Sequence, residues 1–155
     1  MKSKNDIIDQ LWTMIKDPET KTLAENLGIE ITHISEAGLK AKMPVDQRTK
    51  QPYGLLHGGA SVALAETLAS IAAVIHIDTE NEIAVGLEIN ANHVRSVTTG
   101  FVYGESKPIH LGKKTQVWAI EIKNADGKLV SICRCTIAVV PRVGTAAVVP
   151  KITKP

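Results

Sequence analysis

Residues Gln51–Ser70 read QPYGLLHGGASVALAETLAS. From Gly58 onward the run is small and apolar, and Ala60, Ala63, Ala65, Ala69, Ala72 and Ala73 make it strongly helix-prone. The pattern predicts a helix from Gly58 to about His76, roughly 28 Å long at 1.5 Å per residue. It is apolar nearly all round, so it belongs inside the molecule, where small side chains let a sheet come close. Glu66 breaks the pattern, surrounded by Val62, Ala63, Leu64, Ala65, Leu68 and Ala69. A carboxylate there is costly unless it is paired or functional, and burial raises its pKa toward that of a working base. The competing reading puts Glu66 on a solvated stripe or in a structural ion pair. The helix offers little polar stripe: Glu66 shares a face with Ser70 one turn on, and with Val62 and Ala63 one turn back.

At the mouth of this helix stand His57, Gly58 and Gly59. Glycines allow close approach, and a helix start exposes unpaired N–H groups at the positive end of its dipole. An oxyanion fits such a place; a plain loop-to-helix junction explains the glycines equally well. Other signatures fail. Ser61 lacks the second glycine of a nucleophile elbow. The histidines at 33, 57, 76, 93 and 110 have no metal-ligand spacing, and no Gly-rich nucleotide fingerprint exists. Asn92–Ser96 (NHVRS) and His110–Lys114 (HLGKK) supply basic groups that suit phosphates or, equally, solvated strand ends.

Around the helix the chain reads as follows. Residues 5–16 place Ile7, Ile8, Leu11 and Ile15 on one helical face, and Pro18 stops that helix. Leu27–Ile34 and Leu39–Val45 alternate as strands about a turn at Gly38, and residues 46–56 form a loop. Strands are expected over 82–97, 100–109, 114–124 and 128–140, with an Asp-Gly hairpin signal at Asn124–Lys128. The order αββα followed by four strands is an α+β layout, with a sheet that curls over one helix. Residues 1–140 make one domain; residues 141–155, with three prolines and no period, read as an extended or mobile tail.

Composition narrows the class. The 155 residues are 44% apolar and 22% charged, with only 3% aromatics, so aliphatic side chains must build the core. A net charge of +2 without basic runs or stacking platforms argues against nucleic acid. Cys133 and Cys135, two apart, make a poor disulfide and suit reduced thiols in the cytoplasm. No secretory pattern and no membrane-length apolar run are present, and no metal is expected.

Together HGGASVALAE, GLEINANHVRS and PIHLGKKTQVWAIEI resemble the hotdog-fold acyl-CoA thioesterases over about residues 27–140. The resemblance is nearest to the bacterial 1,4-dihydroxy-2-naphthoyl-CoA hydrolase branch, kin to the 4-hydroxybenzoyl-CoA thioesterases. It implies a curved antiparallel sheet around one long central helix. It also implies a homodimer joined edge to edge, commonly paired into a tetramer, with each site shared between two subunits. Glu66 matches the catalytic carboxylate, as nucleophile or general base, and the Gly58 N–H matches the oxyanion donor. His57 matches the histidine beside the thioester, and Gln51 and Ser70 match positions that orient water or substrate. Gly86, His93, Val94, Arg95, Ser96, His110, Leu111, Gly112, Lys113, Lys114 and Thr115 match CoA-contacting segments. The implied reaction is thioester hydrolysis with no cofactor, coenzyme A being part of the substrate, and a place in menaquinone biosynthesis. Phenylacetyl-type or fatty acyl substrates, a non-catalytic acyl-CoA-binding protein and a dehydratase are the alternatives. A pure binder has no use for Glu66, and a dehydratase calls for a different His/carboxylate arrangement.

Overall fold

The computed structural model describes residues 2–19 and 21–143, so the tail expectation falls mostly on residues 144–155, outside them. Among the described residues the helices are α1 (Lys4–Ile15), α2 (Leu23–Asn26) and α3 (Gly58–Val74). The strands are β1 (Glu30–Ser35), β2 (Gly38–Pro44), β3 (Glu82–His93), β4 (Phe101–Leu111), β5 (Thr115–Asn124) and β6 (Leu129–Pro141). They form one antiparallel sheet in the order β1-β2-β4-β5-β6-β3. The curved sheet packs around α3, which touches β2, β3, β4, β5 and β6.

Alternation explains the packing. On β5, Gln116, Trp118, Ile120 and Ile122 all turn inward, and on β6 Cys133, Cys135 and Ile137 do the same. They meet Leu64, Ala65, Leu68, Ala69, Ala72 and Ala73 of α3, all fully buried. The core is aliphatic as composition requires, with Trp118 its one fully buried aromatic among the described residues. Each fully buried Leu or Ile contributes about 1.5–3 kcal/mol of transfer free energy. Gln116 is the polar tie: its Nε2 donates to the Ala73 carbonyl at 3.3 Å, and its Oε1 accepts from Trp118 Nε1 at 3.0 Å.

Several boundaries move. The first helix starts at Lys4, because Ser3 and Asp6 cap it reciprocally. The strand expected from Leu27 begins at Glu30; ahead of it lies α2, capped by Thr22 and too short to show a period. The α3 helix ends at Val74, short of His76. The β3 strand stops at His93, not residue 97, because the Val94 and Arg95 N–H groups both turn to the Val130 carbonyl. The β4 strand runs on to Leu111 and β6 to Pro141.

The expectation of an evenly buried α3 is also corrected. Ala60, Ser61, Leu64, Ala65, Leu68, Ala69, Ala72 and Ala73 are buried. Val62, Ala63, Glu66, Thr67, Ser70, Ile71 and Val74 are only half-buried. Glu66 therefore sits on a half-open, mostly apolar stripe.

Candidate functional site

The start of α3 has one conspicuous vacancy. His57 is the N-cap, and its Nδ1 accepts the Gly59 N–H at 2.8 Å. Its carbonyl takes the Ala60 and Ser61 N–H groups at 3.0 and 3.3 Å. The Gly58 N–H is left with no acceptor among the described residues. The resemblance puts His57 beside the thioester; the structure gives its ring a capping bond, with Nδ1 as the acceptor. The His93 ring lies over Gly58: a Cβ at position 58 would come within 2.7 Å of His93 Nε2. Glycine is what lets β3's last residue approach the helix start so closely.

Beside this N–H opens a cavity of about 320 Å³, lined by Gln51, Leu55, Leu56, Gly58, Ser61, Val130 and the run His93, Val94, Arg95, Ser96. Gln51 is held by its neighbours. Its backbone N–H donates to the Leu55 carbonyl at 2.9 Å, and its Oε1 accepts the Tyr53 N–H. The donating NH2 end of the Gln51 amide is thereby left for the cavity.

Glu66 does not line this cavity. It lies eight residues along α3 from Gly58, about 12 Å by helical rise. Its carboxylate faces Gly86 of β3, where a Cβ would overlap Oε1. Ser70 follows one turn on, half-buried on the same stripe. The charge of Glu66 reaches Cys135 on β6: burial first, then Glu66, Glu88 and Cys133, push that thiol up to about 12. Cys133 and Cys135 are both buried and free.

The remaining predicted segment lies elsewhere. His110 and Leu111 end β4, Thr115 opens β5, and Gly112, Lys113 and Lys114 turn between them, closed by Gly112 N–H to Thr115 O at 2.9 Å. Thr115 pairs with Ala138 of β6, whereas the cavity is at the Val130 end of that strand. One chain thus gathers Gln51, Gly58 and His93–Ser96, and separates them from Glu66, Ser70 and Gly86 and from the 110–115 hairpin. Among the described residues no three His, Cys, Asp or Glu side chains group as a metal site. Leu55, Leu56, Ser61 and Val130 were not anticipated. Ser61 carried a signal, three residues after Gly58 on the same helical face; Val130 arrives through strand pairing and carries none.

The profile of the thioesterase superfamily matches residues 53–131. The chain belongs to that superfamily. It is 54% identical over 113 residues to the 1,4-dihydroxy-2-naphthoyl-CoA hydrolase of Escherichia coli K12, covering 73% of this chain and 82% of that one. It is 48% identical over 118 residues to the proofreading thioesterase EntH of Klebsiella pneumoniae, covering 76% and 85%. A crystal structure of a mutant thioesterase from Pseudomonas aeruginosa superposes with a TM-score of 0.79 at 46% identity, covering 86% of this chain and 94% of that one. The six-stranded curved sheet around α3 is the hotdog fold of these thioesterases, and thioester hydrolysis is the activity class of the family. No helix of the described residues is long and apolar enough to cross a membrane.

Proposed function

We propose that this thioesterase hydrolyses an aromatic acyl-CoA of the 1,4-dihydroxy-2-naphthoyl-CoA kind to the free acid and CoA, at a site completed by a second copy of the chain. The observation that carries this is the separation of two complementary halves. An unpaired N–H waits at Gly58, and the only carboxylate on α3 lies about 12 Å away by helical rise. No single chain can bring both to one carbonyl.

Strand β3 offers the means. Among the described residues it is an edge strand of 12 residues with no strand on its outer side, and Val85 and Leu87 are exposed. A long unprotected edge with apolar side chains is a template for pairing. Gly58 lies by His93, and Glu66 by Gly86. A two-fold axis near Ile89 and Asn90 would carry one chain's Gly58 toward its partner's Glu66. The same operation suits the 110–115 hairpin. Leu111, Gln116, Ile137 and Gly86 form one row across the sheet. That row, in the partner, would come level with His93–Ser96 here, adding Lys113 and Lys114 to Arg95 for the CoA phosphates. The half-open apolar stripe of α3 would be covered at the same time, with α3 beside its twin.

The chemistry follows from these roles. The thioester carbonyl oxygen accepts the Gly58 N–H, and the Gln51 NH2 adds a second donor. A single donor of this type is worth about 10²–10³ in rate. Thioesters have little resonance to lose, so this polarisation and a positioned carboxylate suffice. Glu66 then either attacks the carbonyl carbon, expelling CoA thiolate and leaving an anhydride for water to cleave, or takes a proton from the attacking water. Ser70, on the same helical face, orients that water. Coenzyme A enters as part of the substrate, and no step calls on a metal or a further cofactor. The substrate named for the E. coli relative supports the naphthoyl assignment, and the resemblance implies with it a step of menaquinone biosynthesis.

Thiol release from a panel of naphthoyl, benzoyl, phenylacetyl and fatty acyl-CoAs tests the reading. Aromatic thioesters should turn over fastest, and Glu66→Gln should lower kcat by about 10²–10⁴-fold. Full activity in Glu66→Gln, or no turnover by the wild type, would refute it.

A further inference from the structure

Five polar side chains are fully buried among the described residues: Thr49, Ser61, Ser106, Gln116 and Ser131. Four have partners. Thr49 Oγ1 donates to Pro44 O at 2.7 Å, and Ser106 Oγ accepts the Leu39 N–H at 3.0 Å. Gln116 bridges Ala73 and Trp118, and Ser131 Oγ lies 3.5 Å from Cys133 Sγ. Ser61, 1% exposed, makes no side-chain hydrogen bond. It sits in the first turn of α3, three residues past Gly58 and on the same face, and it lines the same cavity. Among the described residues no fully enclosed side-chain polar atom lacks a partner. The Ser61 hydroxyl therefore keeps a trace of open surface, and the cavity is where it opens.

We infer that Ser61 is a specificity-determining residue, whose hydroxyl hydrogen-bonds a hydroxyl substituent on the acyl group beyond the carbonyl held at Gly58. The inference rests on the acyl-CoA hydrolysis proposed above. The direction of the substrate selects the acyl group over the CoA arm. Arg95 and Ser96 are exposed at the cavity rim, whereas Ser61 is buried at its floor. The anionic phosphates of CoA belong at the cationic, water-facing rim. With the carbonyl at Gly58 and the sulfur leading outward, the acyl group is what reaches inward. Leu55, Leu56 and Val130 give it apolar walls. Against such walls one buried hydroxyl reads one polar substituent, as donor or acceptor. A site built to hydrogen-bond a substrate hydroxyl disfavours the analogue without it, because its own group is then left unpaired.

The test compares kcat/KM for benzoyl-CoA and its three monohydroxylated counterparts, in wild type, Ser61→Ala and Ser61→Thr. The wild type should prefer at least one hydroxylated thioester. Ser61→Ala should lower that preference about tenfold, and Ser61→Thr, which keeps a hydroxyl, should retain most of it. The melting temperature of Ser61→Ala should not fall, since no internal hydrogen bond is lost. If the wild type shows no preference, or the alanine variant keeps the same ratios whether its rates hold or fall together, the assignment of Ser61 is overturned while acyl-CoA hydrolysis stands. If the wild type hydrolyses none of the four, the proposed aromatic substrate fails, and this inference with it.

Discussion

Glu66 and Gly86 are a matched pair. The carboxylate occupies the space that any side chain at position 86 would need. Gly86→Ala should push the carboxylate aside without disturbing the core, since Gly86 is exposed in the single chain. We expect kcat to fall by about 10²-fold, the cost of a roughly 1 Å misplacement, with a smaller change in KM. Stopped-flow or steady-state thiol release would read it, and an unchanged kcat would mean that the position of Glu66 does not limit the reaction. Glu66 stands out in the sequence as a candidate, because a carboxylate among alanines and leucines on a helix is an anomaly that local pattern exposes. The role of Gly86 does not. The resemblance pointed to CoA contact, and only the packing of β3 on α3 puts it against Glu66. Ser61 shows in the sequence only an incomplete nucleophile motif; its lack of a partner is a fact of tertiary structure.

At the scale of the element, α3 is core, cap and site in one. Its N-terminus was readable from His57-Gly58-Gly59, but which N–H stays free depends on the His57 ring taking Gly59. Its C-terminal end carries a pH-sensitive tether. His76 Nε2 donates to the Glu36 carbonyl at 3.0 Å, and its ring lies 5.8 Å from that of Trp118. Burial, aided by the Lys4 charge, holds the His76 pKa below 6.5 against the opposing pull of the Glu36 carbonyl and carboxylate. A depressed histidine pKa means that protonation favours the unfolded chain. The stabilisation is present above the unfolded value and is lost as pH falls through the folded one. The melting temperature should therefore drop more in the wild type than in His76→Gln between about pH 7 and pH 5; parallel curves would remove His76 from the account. Strands with alternating burial were legible, whereas α2 and the true end of β3 were not. The first is four residues long, and the second is set by the distant Val130 carbonyl.

At the scale of the whole molecule, the two sheet edges differ. The β1 edge is six residues long and carries exposed Glu30 and His33. The β3 edge is twice that length, with apolar Val85 and Leu87 exposed. Edges protected by brevity and charge resist pairing, and long apolar ones invite it. Local pattern could not tell which strand would be an edge, because strand order arises only when the chain folds. The central claim is that Gly58 and Glu66 act together only across two subunits. It is tested by joining two inactive variants. Gly58→Pro removes the free N–H without losing a helical hydrogen bond, and its Cβ also crowds the His93 ring of the same half-site. Glu66→Gln removes the carboxylate. The Gly58→Pro homodimer should lose about 10²–10³ in rate and the Glu66→Gln homodimer about 10²–10⁴. A purified heterodimer of the two has one doubly damaged site and one intact site, so the account predicts about half of wild-type activity. A heterodimer no more active than its parents would mean that each site lies within one chain, and would contradict it.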